Sequence, residues 1–199
     1  MAVTQSPPAV EANERADQRV HLHDMPWSHY EILLAVKGDA PVPRIAYLEG
    51  ELELMSPSVD HEMIKSRIGQ MIEAYAAHRG IDLWSAGSWT VRKAPAMRGV
   101  EPDECYTIGD PRTKSVPDLA IEVVWTSGGL DKLDIYRGLG VGEVWFWRDG
   151  RMEAHVLRDG RYQAGTSSEL LAGLDLSLVA RLATASPAEA LAELRKSLA

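Results

Sequence analysis

The sequence predicts an α/β (α+β) domain in which helices pack on a mixed β-sheet, with an added antiparallel meander. Three observations support this class. Residues 119–147 hold two mostly apolar segments separated by a helical one, which is typical of a parallel crossover. Residues 56–80 show helical spacing of their apolar side chains. Residues 148–151 and 158–161 both read Arg-Asp-Gly-Arg, and Asp-Gly favours tight hairpins.

The elements before the crossover follow from local signals. A short helix is predicted over residues 27–35, with Ser28 as its cap. Strands at residues 45–48 and 51–55 are joined by a tight turn at Glu49-Gly50. A long helix is predicted from Ser56-Pro57 to Gly80, since proline suits a first turn and glycine ends helices. Strands near residues 81–84, 89–92 and 103–108 follow, with a loop at 94–99.

The second half begins with a buried strand at residues 119–125. A helix over residues 128–139 and a strand at 144–147 complete the crossover, and the two Asp-Gly hairpins build the meander. A C-terminal helix is predicted from Ser186-Pro187. Residues 1–24 are polar and lack periodicity, so we predict a flexible N-terminal arm followed by a single domain over residues 25–199.

Composition favours a globular protein with 45% hydrophobic and 25% charged residues. No apolar run approaches the roughly 18 residues that span a bilayer, so no membrane partner is expected. The lone cysteine, Cys105, excludes an intrachain disulfide and fits a reducing compartment, which predicts a cytoplasmic location. The net charge of −8 weighs against nucleic-acid binding, although a carboxylate cluster that binds a metal would account for part of it.

Two Pro-Asp pairs offer candidates for a metal-binding carboxylate. Asp118 precedes Glu122 by four residues, and on one strand that separates them by about 13 Å, too far to share a metal directly. Asp103 lies on a separate predicted strand, and neighbouring strands are only about 4.8 Å apart. We therefore predict that Asp103 and Glu122 form a magnesium site in which manganese can substitute. The alternative is a Glu122 that is solvent-exposed or paired with an arginine.

Lys132 follows at the start of the crossover helix, where the helix macrodipole disfavours a cation. Such local conflicts are expected at functional sites, although Asp131 beside it can also neutralise the charge. His61 is an additional candidate, with a capping role as its alternative. Glu51 is another, although Glu51 and Glu53 alternate with leucines, so that their default position is a solvated strand face. Trp145 and Trp147 are interpreted as core or dimer packing rather than as a base-stacking surface.

Several segments together resemble the Uma-type restriction endonuclease family of the PD-(D/E)XK nuclease superfamily. They are residues 50–57 with His61, 101–106, 117–124, 131–136 and 140–145. The resemblance covers residues 45–180 and implies a restriction-endonuclease-like core, magnesium bound by Asp103 and Glu122, and phosphodiester hydrolysis. The superfamily lysine is expected two residues after Glu122, where this chain has Val124. In this family the lysine is expected on the following helix, which here gives Lys132.

The leading hypothesis is a magnesium-dependent DNA endonuclease with Asp103, Glu122 and Lys132 as catalytic residues. His61, Glu51 and Asp118 are additional candidates. The alternative is a non-catalytic protein of the same fold that serves in binding or assembly, which the acidic charge and Val124 favour. A hydrolase of small phosphorylated substrates is a third option. A homodimer is also predicted, since two related sites suit two antiparallel DNA strands.

Overall fold

The structure is a computed structural model that describes residues 16–125 and 129–198. These residues form two β-sheets and five α-helices, which confirms the predicted α/β class. The strands are β1 (Gln18–Leu22), β2 (Arg44–Leu48), β3 (Glu51–Ser56), β4 (Leu83–Ser85), β5 (Val91–Lys93), β6 (Arg98–Val100), β7 (Glu104–Ile108), β8 (Leu119–Val123), β9 (Glu143–Arg148), β10 (Arg151–Arg158) and β11 (Arg161–Gly165). The helices are α1 (Trp27–Lys37), α2 (Val59–Arg79), α3 (Lys132–Leu139), α4 (Leu176–Leu182) and α5 (Pro187–Leu198).

The two sheets differ in topology. The first has the strand order β1-β3-β2-β6-β5 and is antiparallel. The second has the order β11-β10-β9-β8-β7-β4 and is mixed, because β8 and β9 are parallel. Helix α3 connects these two parallel strands, so the predicted crossover is present, and the hairpins β9–β10 and β10–β11 form the predicted meander.

Strand β8 lies at the centre of the second sheet and is buried on both faces. On one face Ile121 and Val123 pack with the apolar side of α2. On the other face Ala120 packs with α3 and with residues of the first sheet. Glu122 shares this second face with Ala120 because side chains alternate along a strand. The fold therefore places a carboxylate inside a layer that is otherwise apolar.

Several elements differ from the predictions. Helix α2 begins at Val59, because the Ser58 side chain caps it by accepting a hydrogen bond from His61 N. Strand β6 and a short 3₁₀ turn replace the loop predicted at residues 94–99, and α4 was not predicted. Helix α3 begins at Lys132 with Asp131 as its cap, and residue 128 of the predicted helix lies outside the described residues.

The predicted N-terminal arm needs the clearest correction. Residues 1–15 lie outside the described residues, but residues 18–22 form β1, which pairs with β3 at the edge of the first sheet. Arg19 and His21 of this strand contact Glu53 of β3, and Val20 and Leu22 alternate with them, but two apolar positions in five residues gave no clear period. No helix within the described residues is long and apolar enough to span a membrane.

Candidate active site

Asp103 and Glu122 occupy facing positions on neighbouring strands. Strands β7 and β8 are antiparallel with Glu104 opposite Ile121, so continuing the register by one residue places Asp103 opposite Glu122. Both side chains are buried, with 1% and 5% of their surface exposed. Val123 N also donates a hydrogen bond of 2.7 Å to Asp103 Oδ2. The structure thus brings together the two carboxylates that the sequence pairs.

Two cations hold the Asp103 carboxylate. Arg44 Nη1 donates to Asp103 Oδ1 at 2.6 Å, and His61 Nε2 lies 2.9 Å from Asp103 Oδ2 without the alignment of a regular hydrogen bond. Burial raises the pKa of Asp103, but His61 and Arg44 outweigh burial and hold that pKa well below its usual range. Arg44 also contacts Glu62 at 2.5 Å. Asp103 is therefore a fixed carboxylate inside a cationic pocket.

Glu122 is in a different electrostatic position. Lys132 Nζ lies 3.5 Å from Glu122 Oε1, and the Tyr136 hydroxyl donates a hydrogen bond to the same oxygen. Both partners come from α3. Burial raises the pKa of Glu122, Asp103 raises it further, and the opposing effect of Lys132 and Tyr136 does not cancel the increase. The two carboxylates are therefore close enough to repel each other.

His61 connects Asp103 to the N-terminal strand region. Its Nδ1 atom lies 3.1 Å from Asp17 Oδ2, and Asp17 also accepts a hydrogen bond from Ser58 N. Burial raises the pKa of Asp17, but the bonds from His61 and Ser58 outweigh it and lower the pKa to about 2. Burial lowers the pKa of His61, whereas Asp103 and Asp17 together raise it to about 9. The result is a buried chain, Asp17–His61–Asp103, which sequence patterns did not reveal.

These shifts predict that stability depends on pH. The folded-state pKa of His61 is raised, so its contribution is fully present below about pH 6.5 and is lost as pH rises towards 9. The expected loss is about 3 kcal/mol in metal-free buffer. Urea unfolding from pH 6 to 9.5 measures it. His61→Gln should flatten this slope, whereas His78→Gln, at an exposed position of the same helix, should leave it unchanged. Equal slopes in wild type and His61→Gln would contradict the prediction.

A further buried carboxylate, Glu53, lies on β3. Arg19 Nη1 contacts it at 3.2 Å, His21 Nε2 lies 3.5 Å away, and Leu130 N donates to it at 3.3 Å. The sequence placed Glu51 and Glu53 on a solvated strand face, which is wrong for Glu53 because β1 and residue 130 cover it. The alternating basic residues Arg19 and His21 indicate a partner for Glu53, but only once β1 is known to pair with β3.

The remaining candidates lie away from the carboxylate pair. Glu51 is 43% exposed at its side chain and contacts His23 at 2.5 Å. Asp118 accepts a hydrogen bond from Ile108 N at 2.8 Å and contacts Lys114 at 2.9 Å, so it fixes the turn before β8. Asp118 and Glu122 lie at opposite ends of this strand, in agreement with the preference for Asp103.

The site opens into a cleft of about 820 Å³. Glu122 and Lys132 line it, together with Val124, Arg19 and Phe146. Arg148 and Arg151 line its wall on the β9–β10 hairpin. The cleft gives a phosphate-bearing substrate access to Glu122 and Lys132, while Asp103 remains behind them.

The tryptophans and the cysteine belong to the core rather than to this cleft. Trp145 and Trp147 are buried on the opposite face of the second sheet and pack with α2, as the core interpretation predicts. Cys105 is buried, and burial raises the pKa of its thiol to about 12, so it is not poised to react.

The donor set fits a magnesium ion in its chemistry. Magnesium is commonly bound by one or two carboxylates together with waters and substrate phosphates rather than by a complete protein cage. Asp103 and Glu122 supply two such carboxylates, and a divalent cation near them would offset the repulsion that raises the pKa of Glu122. Within residues 16–125 and 129–198, no group of three or more His, Cys, Asp or Glu side chains is arranged to hold a metal.

Comparisons with known proteins identify the family and the fold. Residues 27–186 match the model of the Uma2 family, described as "Putative restriction endonuclease". No curated protein matches the chain. The structure is similar to the crystal structure of "a putative nuclease belonging to DUF820" from Anabaena variabilis ATCC 29413, with a TM-score of 0.51. The two chains are 16% identical over 71% of this chain and 90% of that one, which shows a shared fold.

Proposed function

Since the chain belongs to the Uma2 family, we propose that it is a magnesium-dependent endonuclease that hydrolyses phosphodiester bonds in DNA. One observation carries the proposal: Asp103 and Glu122 face each other on neighbouring strands, and Glu122 lies beside Lys132 at the cleft. A nuclease needs oxygen ligands on rigid elements and a cation near the phosphate, and this arrangement supplies both. The shared fold with another nuclease-family structure supports the same assignment.

We assign the metal to Asp103 and Glu122. Bound magnesium would lower the pKa of a water molecule and neutralise charge on the phosphate. Arg44 and His61 keep Asp103 ionised and fix its direction, because each contacts one of its oxygens. Tyr136 fixes Glu122 by donating to Oε1. The carboxylates are therefore oriented before any substrate arrives, which lowers the reorganisation needed during reaction.

Lys132 takes the role of the missing lysine at position 124. Its ammonium group lines the cleft 3.5 Å from Glu122, so it can donate to a phosphate oxygen or to the attacking water. In either position it would stabilise negative charge that develops on the phosphate. The capping carboxylate of Asp131 lowers the cost of a cation in the first turn of α3.

The proposal is tested by cleavage of supercoiled plasmid and labelled oligonucleotides by the purified protein. Cleavage is expected with magnesium or manganese and not with EDTA. Manganese binding to the protein without DNA, measured by calorimetry, is a second readout that does not depend on choosing the right DNA. A protein that neither cleaves DNA nor binds millimolar manganese would contradict the proposal.

A non-catalytic binding or assembly role is the second candidate. It is favoured by the two cations that already neutralise Asp103 and by Val124 at the position of the superfamily lysine. This candidate predicts folded protein that binds nucleic acid or a partner but shows no cleavage with any divalent metal. The manganese titration separates the two, because only the enzyme requires a metal at Asp103 and Glu122.

We also propose a homodimer. The support is an exposed edge strand, β1, with Val20 52% exposed, and two exposed apolar residues one turn apart on α2, Val59 and Met63. The tryptophans of β9 do not support a dimer, since they lie in the core. Light scattering at micromolar concentration should give twice the 21.9 kDa chain mass, and the monomer mass would contradict the proposal. A cytoplasmic location remains a prediction from the single cysteine.

A further inference from the structure

The hairpin that joins β9 to β10 presents two arginines to the cleft. Arg148 ends β9, Arg151 begins β10, and the two residues are directly opposite in the antiparallel register. Both are exposed, and both line the same cleft as Glu122 and Lys132. In the part of the chain that the structure describes, neither arginine side chain has a hydrogen-bond or ion-pair partner.

The two facing arginines destabilise the hairpin when no ligand is bound. Like charges directly opposite each other on neighbouring strands destabilise the pair. The acidic residues of this hairpin do not offset the cost by direct contact, since Glu153 lies beside His155 at 3.6 Å. Two guanidinium groups side by side match the oxygens of a phosphate, which would neutralise both.

An identical sequence elsewhere in the chain behaves differently. Residues 158–161 repeat Arg-Asp-Gly-Arg in the β10–β11 hairpin, with Arg158 opposite Arg161. There Arg158 forms an ion pair with Glu169, and neither arginine lines the cleft. One arginine of this second pair is therefore neutralised within the protein, whereas both arginines of the β9–β10 hairpin face the cleft without an ion-pair partner among the described residues.

The strand register connects the arginine pair to the carboxylates. Glu122 lies beside Phe146 in the parallel pairing of β8 and β9, and Phe146 lies opposite Glu153 on β10. Two residues further along the same face, Arg148 lies opposite Arg151. Two residues of a strand span about 6.6 Å. This spacing is comparable with the separation of neighbouring phosphates along a nucleic-acid strand.

Phe146 is the middle residue of the row that begins with Glu122, and its ring lines the cleft. It is partly exposed, and the ring of His155 meets it edge-on with centroids 5.5 Å apart. Aromatic rings in such clefts stack on nucleic-acid bases, but only a base that is not paired in a duplex can turn to meet one. The buried position of Asp103 behind Glu122 likewise favours a strand that enters the cleft over a rigid duplex lying across it.

We infer that Arg148 and Arg151 together bind the phosphate next to the one that is cleaved. Phe146 stacks on the unpaired base that lies between these two phosphates. The substrate class is then a single-stranded segment of nucleic acid. The inference rests on the proposed nuclease function, because the carboxylates define where cleavage occurs. It adds a phosphate-binding and base-stacking subsite that determines strand preference.

The test measures binding by fluorescence anisotropy in EDTA, so that cleavage plays no part. The probes are labelled 12-nucleotide single strands of DNA and of RNA, and the DNA duplex of the same sequence. The wild type should bind a single strand at least about tenfold more tightly than the duplex. The single-stranded probe that binds more tightly shows whether the subsite prefers DNA or RNA.

Two variants and a matched control define the subsite. Arg148→Gln/Arg151→Gln should lower affinity about tenfold and reduce the salt dependence of log K by roughly 0.7, the contribution of one phosphate contact to a single strand. Arg158→Gln/Arg161→Gln removes the same charges from the identical turn and should leave binding unchanged. Phe146→Leu should reduce the preference for single strands over duplex about fivefold or more.

The results of these experiments distinguish the strand-binding subsite from the proposed nuclease activity. Equal losses in both double variants, equal binding of strand and duplex by the wild type, or no binding of any probe would overturn the subsite. Binding as expected with no cleavage in magnesium or manganese would overturn the proposed nuclease activity and leave the strand-binding surface supported. Circular dichroism melts show whether each variant is folded.

Discussion

Glu122→Gln is expected to abolish cleavage while leaving the protein as stable as the wild type, or up to about 1 kcal/mol more stable. Glutamine keeps an oxygen that accepts from Tyr136, so the local hydrogen bond survives. It removes a charge whose burial and proximity to Asp103 are unfavourable, as the raised pKa of Glu122 indicates. Cleavage should fall about a thousandfold or more, since the charge that binds the metal is lost.

Activity is measured by plasmid cleavage in the presence of magnesium. Stability is measured by urea-induced unfolding of the same preparations. Glu153→Gln is the matched control, because Glu153 lines the same cleft in the same cross-strand row but is exposed. It should retain cleavage and stability. A Glu122→Gln protein that still cleaves at the wild-type rate would remove Glu122 from the proposed site.

Asp103→Asn is expected to lose both cleavage and stability. The neutral amide leaves Arg44 and His61 buried without their carboxylate, and breaking such a pair costs about 3–5 kcal/mol. Domains are commonly stable by only about 5–15 kcal/mol, so the variant should unfold at a much lower urea concentration. This contrast with Glu122→Gln follows from the opposite pKa shifts of the two carboxylates.

The cause of that destabilisation can be checked by raising the pH. Without Asp103, His61 releases its proton more easily, so the stability deficit of Asp103→Asn should shrink between pH 6 and 9. A deficit that is constant across this range would mean that lost packing, rather than unpaired charge, destabilises the variant. Cleavage data for Asp103→Asn are therefore interpretable only together with its unfolding curve, whereas those for Glu122→Gln stand alone.

The central strands and the carboxylate pair could be predicted from sequence because their signals are local. An apolar strand interrupted by Glu122, a Pro-Asp before another strand and a suitable length between them were sufficient. Arg44, Asp17 and Tyr136 could not be found in this way, because each reaches the site from a different element. Their roles depend on how β2, the residue before β1, and α3 pack around the strands that carry the carboxylates.

Charged residues also account for the main errors. Glu53 alternates with leucines as an exposed strand residue would, yet Arg19 and the residues after β8 cover it. Alternation identifies the face on which a side chain lies but not what covers that face. Strand β1 was missed for a related reason, since its alternation covers only Val20 and Leu22 and its partner strand β3 could not be identified from sequence.

Strand β1 has a practical consequence for where this domain is taken to start. A chain trimmed to the family match would begin at Trp27 and would lack both Asp17 and Arg19. Such a fragment would keep both carboxylates and Lys132, yet His61 would lose the acid at its Nδ1 atom and Glu53 would lose its guanidinium partner. An inactive or poorly soluble fragment would then report on the missing strand and not on the chemistry of the family.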